Sequence, residues 1–122
     1  MIKTLCLVAV GGLAGSVCRF LASFVLLKHL PSSYPWPTFA VNVLGCFLIG
    51  IFWGLGQKGT WFSEDFRVLC MPGFCGGFTT FSAFALENMQ LWQSQQVGLL
   101  AGYALASLLL GTMAVWAGAK LV

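Results

Sequence analysis

The sequence predicts an all-α membrane protein, with four transmembrane helices in a single domain and the third helix broken. Three observations carry this. Of the 122 residues, 59% are hydrophobic and 7% are charged, whereas soluble domains carry about 25% charged residues. The apolar residues gather into four runs, each near the roughly 20 residues that cross a bilayer's hydrocarbon core. Inside the third run, residues 73–84 read GFCGGFTTFSAF, with three glycines, three hydroxyl residues and four phenylalanines. A lipid-facing helix has no use for that mixture.

The first span covers about residues 4–27. Lys3 precedes it, the apolar run far exceeds the roughly 7–15 residues of a secretory signal core, and no A-x-A-like site closes it, so the segment is expected to stay in the mature protein. The second span, about 38–55, is entered through Pro31, Pro35 and Pro37. The third, about 66–92, is interrupted by its glycine-rich stretch. Glycine weakens a helix, and backbone freed within a bilayer survives only where protein buries it or where it lines a polar path. Residues 73–84 are therefore expected to break the helix at a functional site. The fourth span covers about 97–121, and the connections at 28–37, 56–65 and 93–96 leave no room for a soluble domain. Trp36, Trp53, Trp61, Trp92 and Trp116 fall mostly near the span ends, where aromatic belts sit.

Six Lys and Arg against three Asp and Glu give a net charge of +3, too sparse and scattered for a nucleic-acid surface. With four spans, the termini and the second loop share a side that holds Lys3, Lys58, Arg67 and Lys120, partly offset by Glu64 and Asp65. Lys28 lies opposite, joined by Arg19 if it snorkels. The bias weakly favours cytoplasmic termini. Gly11 and Gly15, Gly50 and Gly54, and Gly98 and Gly102 are GxxxG pairs, the last extended by Ala106, and such rows let helices approach closely in lipid. Four helices packed this tightly enclose little of their own, so a pore would form between subunits of an oligomer. Five cysteines (Cys6, Cys18, Cys46, Cys70, Cys75) lie in apolar stretches without a C-x-x-C pair. This odd number argues against a disulfide framework, and cysteine packs well as a small apolar residue. A zinc site needs clustered Cys and His, and the single histidine, His29, stands alone at a loop edge.

Asn42 lies deep in the second span, where a polar group must be satisfied. It is either an interhelical hydrogen bond that holds packing or a donor to an anion in a water path. Arg19 and Glu87 are the charges well inside spans, and an intramembrane ionisable residue is a functional candidate. They could line a vestibule, pair with each other or reach an interface, and Glu87 could also relay a proton or orient pore residues. Phe81 and Phe84, at i and i+3, share a helix face. Aromatic pairs at that spacing usually just pack, but the positive ring edge can also solvate a small anion. Thr79, Thr80 and Ser82 add hydroxyls beside the rings, and Tyr103 and Ser107 stand one turn apart on the fourth helix. Gly111 falls where the hydroxyl stripe would continue, and Thr112 lies well off it on an ideal wheel. Donors and ring edges without clustered carboxylates suit an anion path. No nucleophile–base–orienter set and no phosphate-binding loop is visible, so the reading is not an enzyme.

The chain resembles the Fluc/CrcB fluoride channel family. The match rests on GGLAGSVCRF at 11–20, TFAVNVLGCFLIG at 38–50 with its central Asn42, and GFCGGFTTFSAF at 73–84 followed by Glu87. The resemblance implies small four-helix subunits assembled as an antiparallel, dual-topology homodimer in the bacterial inner membrane, with two pores. It implies a fluoride-selective channel that exports fluoride passively down its electrochemical gradient and relieves fluoride toxicity. It assigns the pore to Asn42, Phe81, Phe84 and Ser107, with Tyr103 close by, and matches Arg19 and Glu87 to family positions. It also implies a structural sodium ion at the dimer interface, held on this chain by the backbone carbonyls of Gly76 and Thr79. Ser82 joins Asn42 and Ser107 as a donor that would replace the anion's water, and Thr80 supports them. Two other readings stand beside it: a proton-coupled small multidrug transporter, which relies on a carboxylate absent from this first helix, and a non-transporting assembly subunit.

Overall fold

The computed structural model describes residues 1–59 and 62–122, and among them every regular element is helical. Trp61, expected at a membrane edge, lies outside the described residues. Helix α1 runs Ile2–His29 and α2 runs Trp36–Lys58. The third span, Glu64–Gln93, is built from α3 (Glu64–Val68), a π-helical stretch (Leu69–Cys75), α4 (Gly76–Phe78) and α5 (Phe81–Gln93), and α6 (Val97–Leu121) completes the chain. Among the described residues, four spans are long and apolar enough to cross a membrane.

Local chemistry explains the ends. Helix α2 carries Pro37 in its first turn, where a missing N–H costs nothing. Ser63 caps α3, its Oγ accepting from the Phe66 N–H at 3.2 Å. Pro72 sits inside the π-helical stretch, whose wider turn accommodates a ring that would clash with the i−4 carbonyl of an α-helix. Trp36, Trp53, Trp92 and Trp116 are all exposed.

The break falls inside the stretch 73–84, as the sequence predicts, but not at its glycines. Gly73, Gly76 and Gly77 stay in helical backbone, and the chain leaves the helix only at Thr79 (φ −90°, ψ 157°) and Thr80 (φ −147°, ψ 115°). The glycines are used for close approach to α1. A Cβ on Gly77 would sit 2.5 Å from Gly12 O, one on Gly11 2.3 Å from Leu69 O, and one on Gly15 2.1 Å from Phe74 O. Helices α2 and α6 meet in the same way, with Gly50 against Val115 O at 2.1 Å and Gly118 against Phe47 O at 2.2 Å, measured from an added Cβ. Gly98 and Gly102, expected to pack as a row, have no atom within 4 Å of such a Cβ, and Gly118 closes the α2–α6 contact instead.

The subunit is thus two tight pairs, α1 with the first half of the third span and α2 with α6, while α5 leans mainly on α6. Among the described residues the buried apolar ones are few: Val41, Phe62, Cys70, Cys75, Phe78, Leu91 and Tyr103. The accessible surface is 7688 Å², against about 6,400 Å² for a compact soluble monomer of this mass. Large apolar side chains exposed along all four spans contribute to the excess.

Candidate functional site

The break is held from α2. Asn42 grips the backbone of Thr80 with both ends of its amide: the Thr80 N–H donates to Asn42 Oδ1 at 2.7 Å, and Asn42 Nδ2 donates to Thr80 O at 3.0 Å. Thr80 Oγ1 then caps α5 by accepting from the Ala83 N–H at 3.2 Å. The Thr79 hydroxyl donates to Cys75 O at 2.9 Å, beside the Thr79 N–H, which donates to the same carbonyl at 3.0 Å. Arg19 Nε donates to Gly77 O at 3.1 Å, so it satisfies a carbonyl at the end of α4, while Glu87 takes its bonds from Thr38 and Tyr103. The break is therefore specified by side chains with the hydrogen-bonding capacity that the interrupted helix lacks.

A cleft of about 700 Å³ opens at this point, lined in part by Asn42, Thr79, Thr80, Phe81, Phe84 and Ser107. A second cavity of about 620 Å³ shares Cys46, Ser107 and Leu108 with it and continues along α6 past Gly111 and Thr112. Thr112 therefore lines this second cavity although the ideal wheel set it off the hydroxyl stripe, but its hydroxyl donates to Leu108 O at 2.7 Å. Ser107 makes no hydrogen bond to protein among the described residues, which leaves its hydroxyl for a ligand. The Phe81 and Phe84 rings lie 5.8 Å apart, tilted by 44°, and Phe81 is 79% exposed in the isolated chain. Ser82 is exposed and outside the cleft lining, its Oγ 3.3 Å from Thr80 Oγ1.

Tyr103 stands behind the cleft. It is fully buried, its ring meets Phe84 edge-on at 5.1 Å, and its hydroxyl donates to Glu87 Oε2 at 2.6 Å. Glu87 Oε1 accepts from the Thr38 hydroxyl at 2.5 Å. Both carboxyl oxygens are thus engaged by hydroxyls, one from α2 and one from α6, which satisfies a polar group at membrane depth. Sequence reasoning did not single out Thr38. The available signal was its place one turn before Asn42 on the same face of α2.

Among the described residues, the Gly76 and Thr79 carbonyls lack their helical donors: the Thr80 N–H goes to Asn42 instead of Gly76 O, and the Ala83 N–H goes to Thr80 Oγ1 instead of Thr79 O. Both residues line the cleft. Such oxygens are the donor type a hard cation takes. Among the described residues, no group of three or more His, Cys, Asp or Glu is placed to hold a metal.

Four spans, a broken third helix and a cleft of ring edges and hydroxyls at the break define a multi-pass membrane protein of the ion-channel class. The chain belongs to the CrcB family: the model described as CrcB-like protein, Camphor Resistance (CrcB), matches residues 6–119. Relatives named fluoride-specific ion channels include proteins from Azobacteroides pseudotrichonymphae and Methylobacillus flagellatus. The first is 45% identical over 118 residues, covering 97% of this chain and 94% of the relative. The second is 45% identical over 117 residues, covering 95% and 91%. A Rhizobium etli relative of the same name is 44% identical over 118 residues, covering 97% and 94%.

Proposed function

We infer that this chain forms a fluoride-specific ion channel that lets fluoride leave the cell down its electrochemical gradient. The observation that carries this reading is the cleft at the Thr79–Thr80 break, where the Phe81–Phe84 ring pair, Asn42 and Ser107 line one space. Fluoride enters cells as the neutral acid, which dissociates in the less acidic cytoplasm and traps the anion, so a selective pore relieves its toxicity without ATP. The difficulty is dehydration. Ser107 offers a hydroxyl without a protein partner, Asn42 keeps a second amide hydrogen beyond the one given to Thr80, and the ring edges supply weak stations. Conduction needs sites strong enough to admit the ion and weak enough to release it.

The working unit in this reading is an antiparallel homodimer in the bacterial inner membrane. An exposed Phe81 beside an open cleft supports a second copy as the missing wall. A structural sodium ion at the interface would be held by the Gly76 and Thr79 carbonyls, a pair from each copy, and would supply positive charge beside the anion path. Its fit rests on those two carbonyls lacking their helical N–H donors. The channel is not an enzyme in this account: the side chains position and solvate an ion and break no bond.

Purified protein in fluoride-loaded liposomes tests the reading, with efflux followed by a fluoride electrode and chloride-loaded vesicles run in parallel. Fast fluoride loss with little chloride loss, slowed sharply by Phe81→Ile or Phe84→Ile, is expected. No fluoride efflux from folded wild-type protein removes the channel reading; unchanged flux in both variants removes the role of the rings.

A further inference from the structure

Three prolines, Pro31, Pro35 and Pro37, crowd the connection from α1 into α2. The middle one shapes a tight turn. Pro35 takes φ −75° and ψ 59°, and the Trp36 N–H donates back across it to Tyr34 O at 2.8 Å. Those dihedrals and that bond are an inverse γ-turn, with φ where the pyrrolidine ring already holds it. The turn fixes the backbone of Tyr34, whose half-buried ring meets the ring of Tyr103 edge-on at 5.4 Å and 71°. Tyr103 meets Phe84 edge-on in turn, at 5.1 Å and 64°. Three rings therefore stand in series, and of the three only Phe84 lines the cleft.

We propose that Tyr34 is a positioning residue for the ion path: acting through Tyr103, it fixes the plane in which Phe84 presents its ring to the cleft. The inference rests on the channel reading above. The Tyr103 hydroxyl is tied to Glu87 at 2.6 Å, but that oxygen lies on the long axis of the ring. The bond anchors the tip and leaves rotation about the axis free. The torsion that sets the ring plane is intrinsically broad, so neighbouring rings must select it. Tyr34 from the loop, Phe39 from α2 at 6.4 Å and Phe84 from α5 are those neighbours. Edge-on contact depends on ring orientation, so a Tyr103 ring that turns also loses its hold on Phe84. The Tyr34 hydroxyl makes no hydrogen bond to protein among the described residues, so its ring alone carries the role.

The test reads the Phe84 ring and the flux separately. Phe84 is replaced by meta-fluorophenylalanine, whose off-axis fluorine reports ring orientation by fluorine NMR in detergent, and liposome efflux is measured on the unlabelled proteins. Tyr34→Phe keeps the ring and should match wild type in both, with one dominant resonance and flux within about twofold. Tyr34→Leu removes the ring. It should add a second resonance and slow fluoride about two- to tenfold, the weight of one aromatic pair. Tyr34→Met is the second truncation should the leucine variant fail to fold. An unchanged spectrum in a folded truncation overturns this inference whatever the flux does. A changed spectrum with wild-type flux overturns it too, because ring orientation then does not serve passage. Tyr34→Phe behaving like the truncations would assign the effect to the hydroxyl and overturn the packing argument. Each of these results, with fluoride moving through wild-type protein, leaves the channel reading intact. Wild-type protein that moves no fluoride removes that reading and the proposed role in passage, even where the spectra couple the rings.

Discussion

Replacing Asn42 separates two things its amide does. The Thr80 N–H and C=O both depend on it, at 2.7 and 3.0 Å. A buried backbone group left without a partner costs about 1–3 kcal/mol, so Asn42→Ala orphans two groups and sets a ceiling near 6 kcal/mol. Both groups border the open 700 Å³ cleft, which is wide enough for water to reach them and bond to the two freed backbone groups. Water replaces part of the loss and moves the cost to the low end, about 2 kcal/mol or about a 30-fold drop in the folding constant. Asn42→Asp keeps an acceptor for the Thr80 N–H but sets a carboxylate oxygen against Thr80 O and a negative charge in an anion path. Unfolding of purified protein in detergent reads stability, and liposome efflux reads flux. The expectation is that Asn42→Ala loses about 2 kcal/mol and most flux, while Asn42→Asp loses nearly all flux. Asn42→Ala with wild-type stability and lost flux would refute the clamp and leave Asn42 as an ion ligand alone.

The glycine contacts predict opposite outcomes for like substitutions. Gly15→Ala and Gly50→Ala push a methyl to 2.1 Å from a backbone oxygen and should destabilise by about 1–3 kcal/mol or more, whereas Gly98→Ala, with nothing within 4 Å, should leave subunit stability unchanged; thermal melts compare them. Glu87→Gln replaces a charged acceptor of two hydroxyl bonds, each worth about 1.5–3 kcal/mol, by a neutral amide; melting should show a loss above 1 kcal/mol, and a neutral result would mean the pair of bonds is not made. Sodium withdrawal should lower the melting temperature of the dimer. At a hundredfold excess over its dissociation constant a structural ion contributes about 2.7 kcal/mol, and a melt indifferent to replacing sodium by a bulky organic cation would remove the ion from the account.

The four spans and the third-helix break could be read in the sequence because each rests on local composition. The stretch that holds the break, 73–84, could be read as well; which of its residues leave the helix could not. Glycine weakens an isolated helix, so the glycine run drew the expectation, yet the structure spends Gly73 and Gly77 on backbone contact with α1 and breaks at two threonines. What makes Thr79–Thr80 the weak point is Asn42, 38 residues away in sequence, which takes the Thr80 N–H that would otherwise return to Gly76. A long-range bond of that kind leaves no periodic trace. The same limit applies to Arg19, whose partner is a carbonyl 58 positions on, and to Tyr103, whose spacing with Ser107 suggested a shared lining although burial and Glu87 take it out of the cleft. Gly98 and Gly102 show the converse: a packing motif is visible in sequence, but nothing in it says which surface it meets.

Helix α5 belongs to neither tight pair, and this explains why its polar neighbours matter. Backbone contact through glycines locks α1 to the first half of the third span and α2 to α6. Little apolar packing from α2 reaches α5. Its position is set at two successive points instead, at Thr80 by Asn42 and at Glu87 by Thr38, and those two α2 residues lie one turn apart on one face. A third bond, from Tyr103, ties Glu87 to α6. In lipid, where apolar side chains gain little by meeting one another, hydrogen bonds and close backbone approach decide helix positions. The ring pair sits between the two anchors, Phe81 just after the first and Phe84 just before the second. The alternative posed for Asn42, packing bond or path donor, is therefore not exclusive. Holding the break in place orients the rings, and the amide that holds it keeps a hydrogen to spare at the cleft wall.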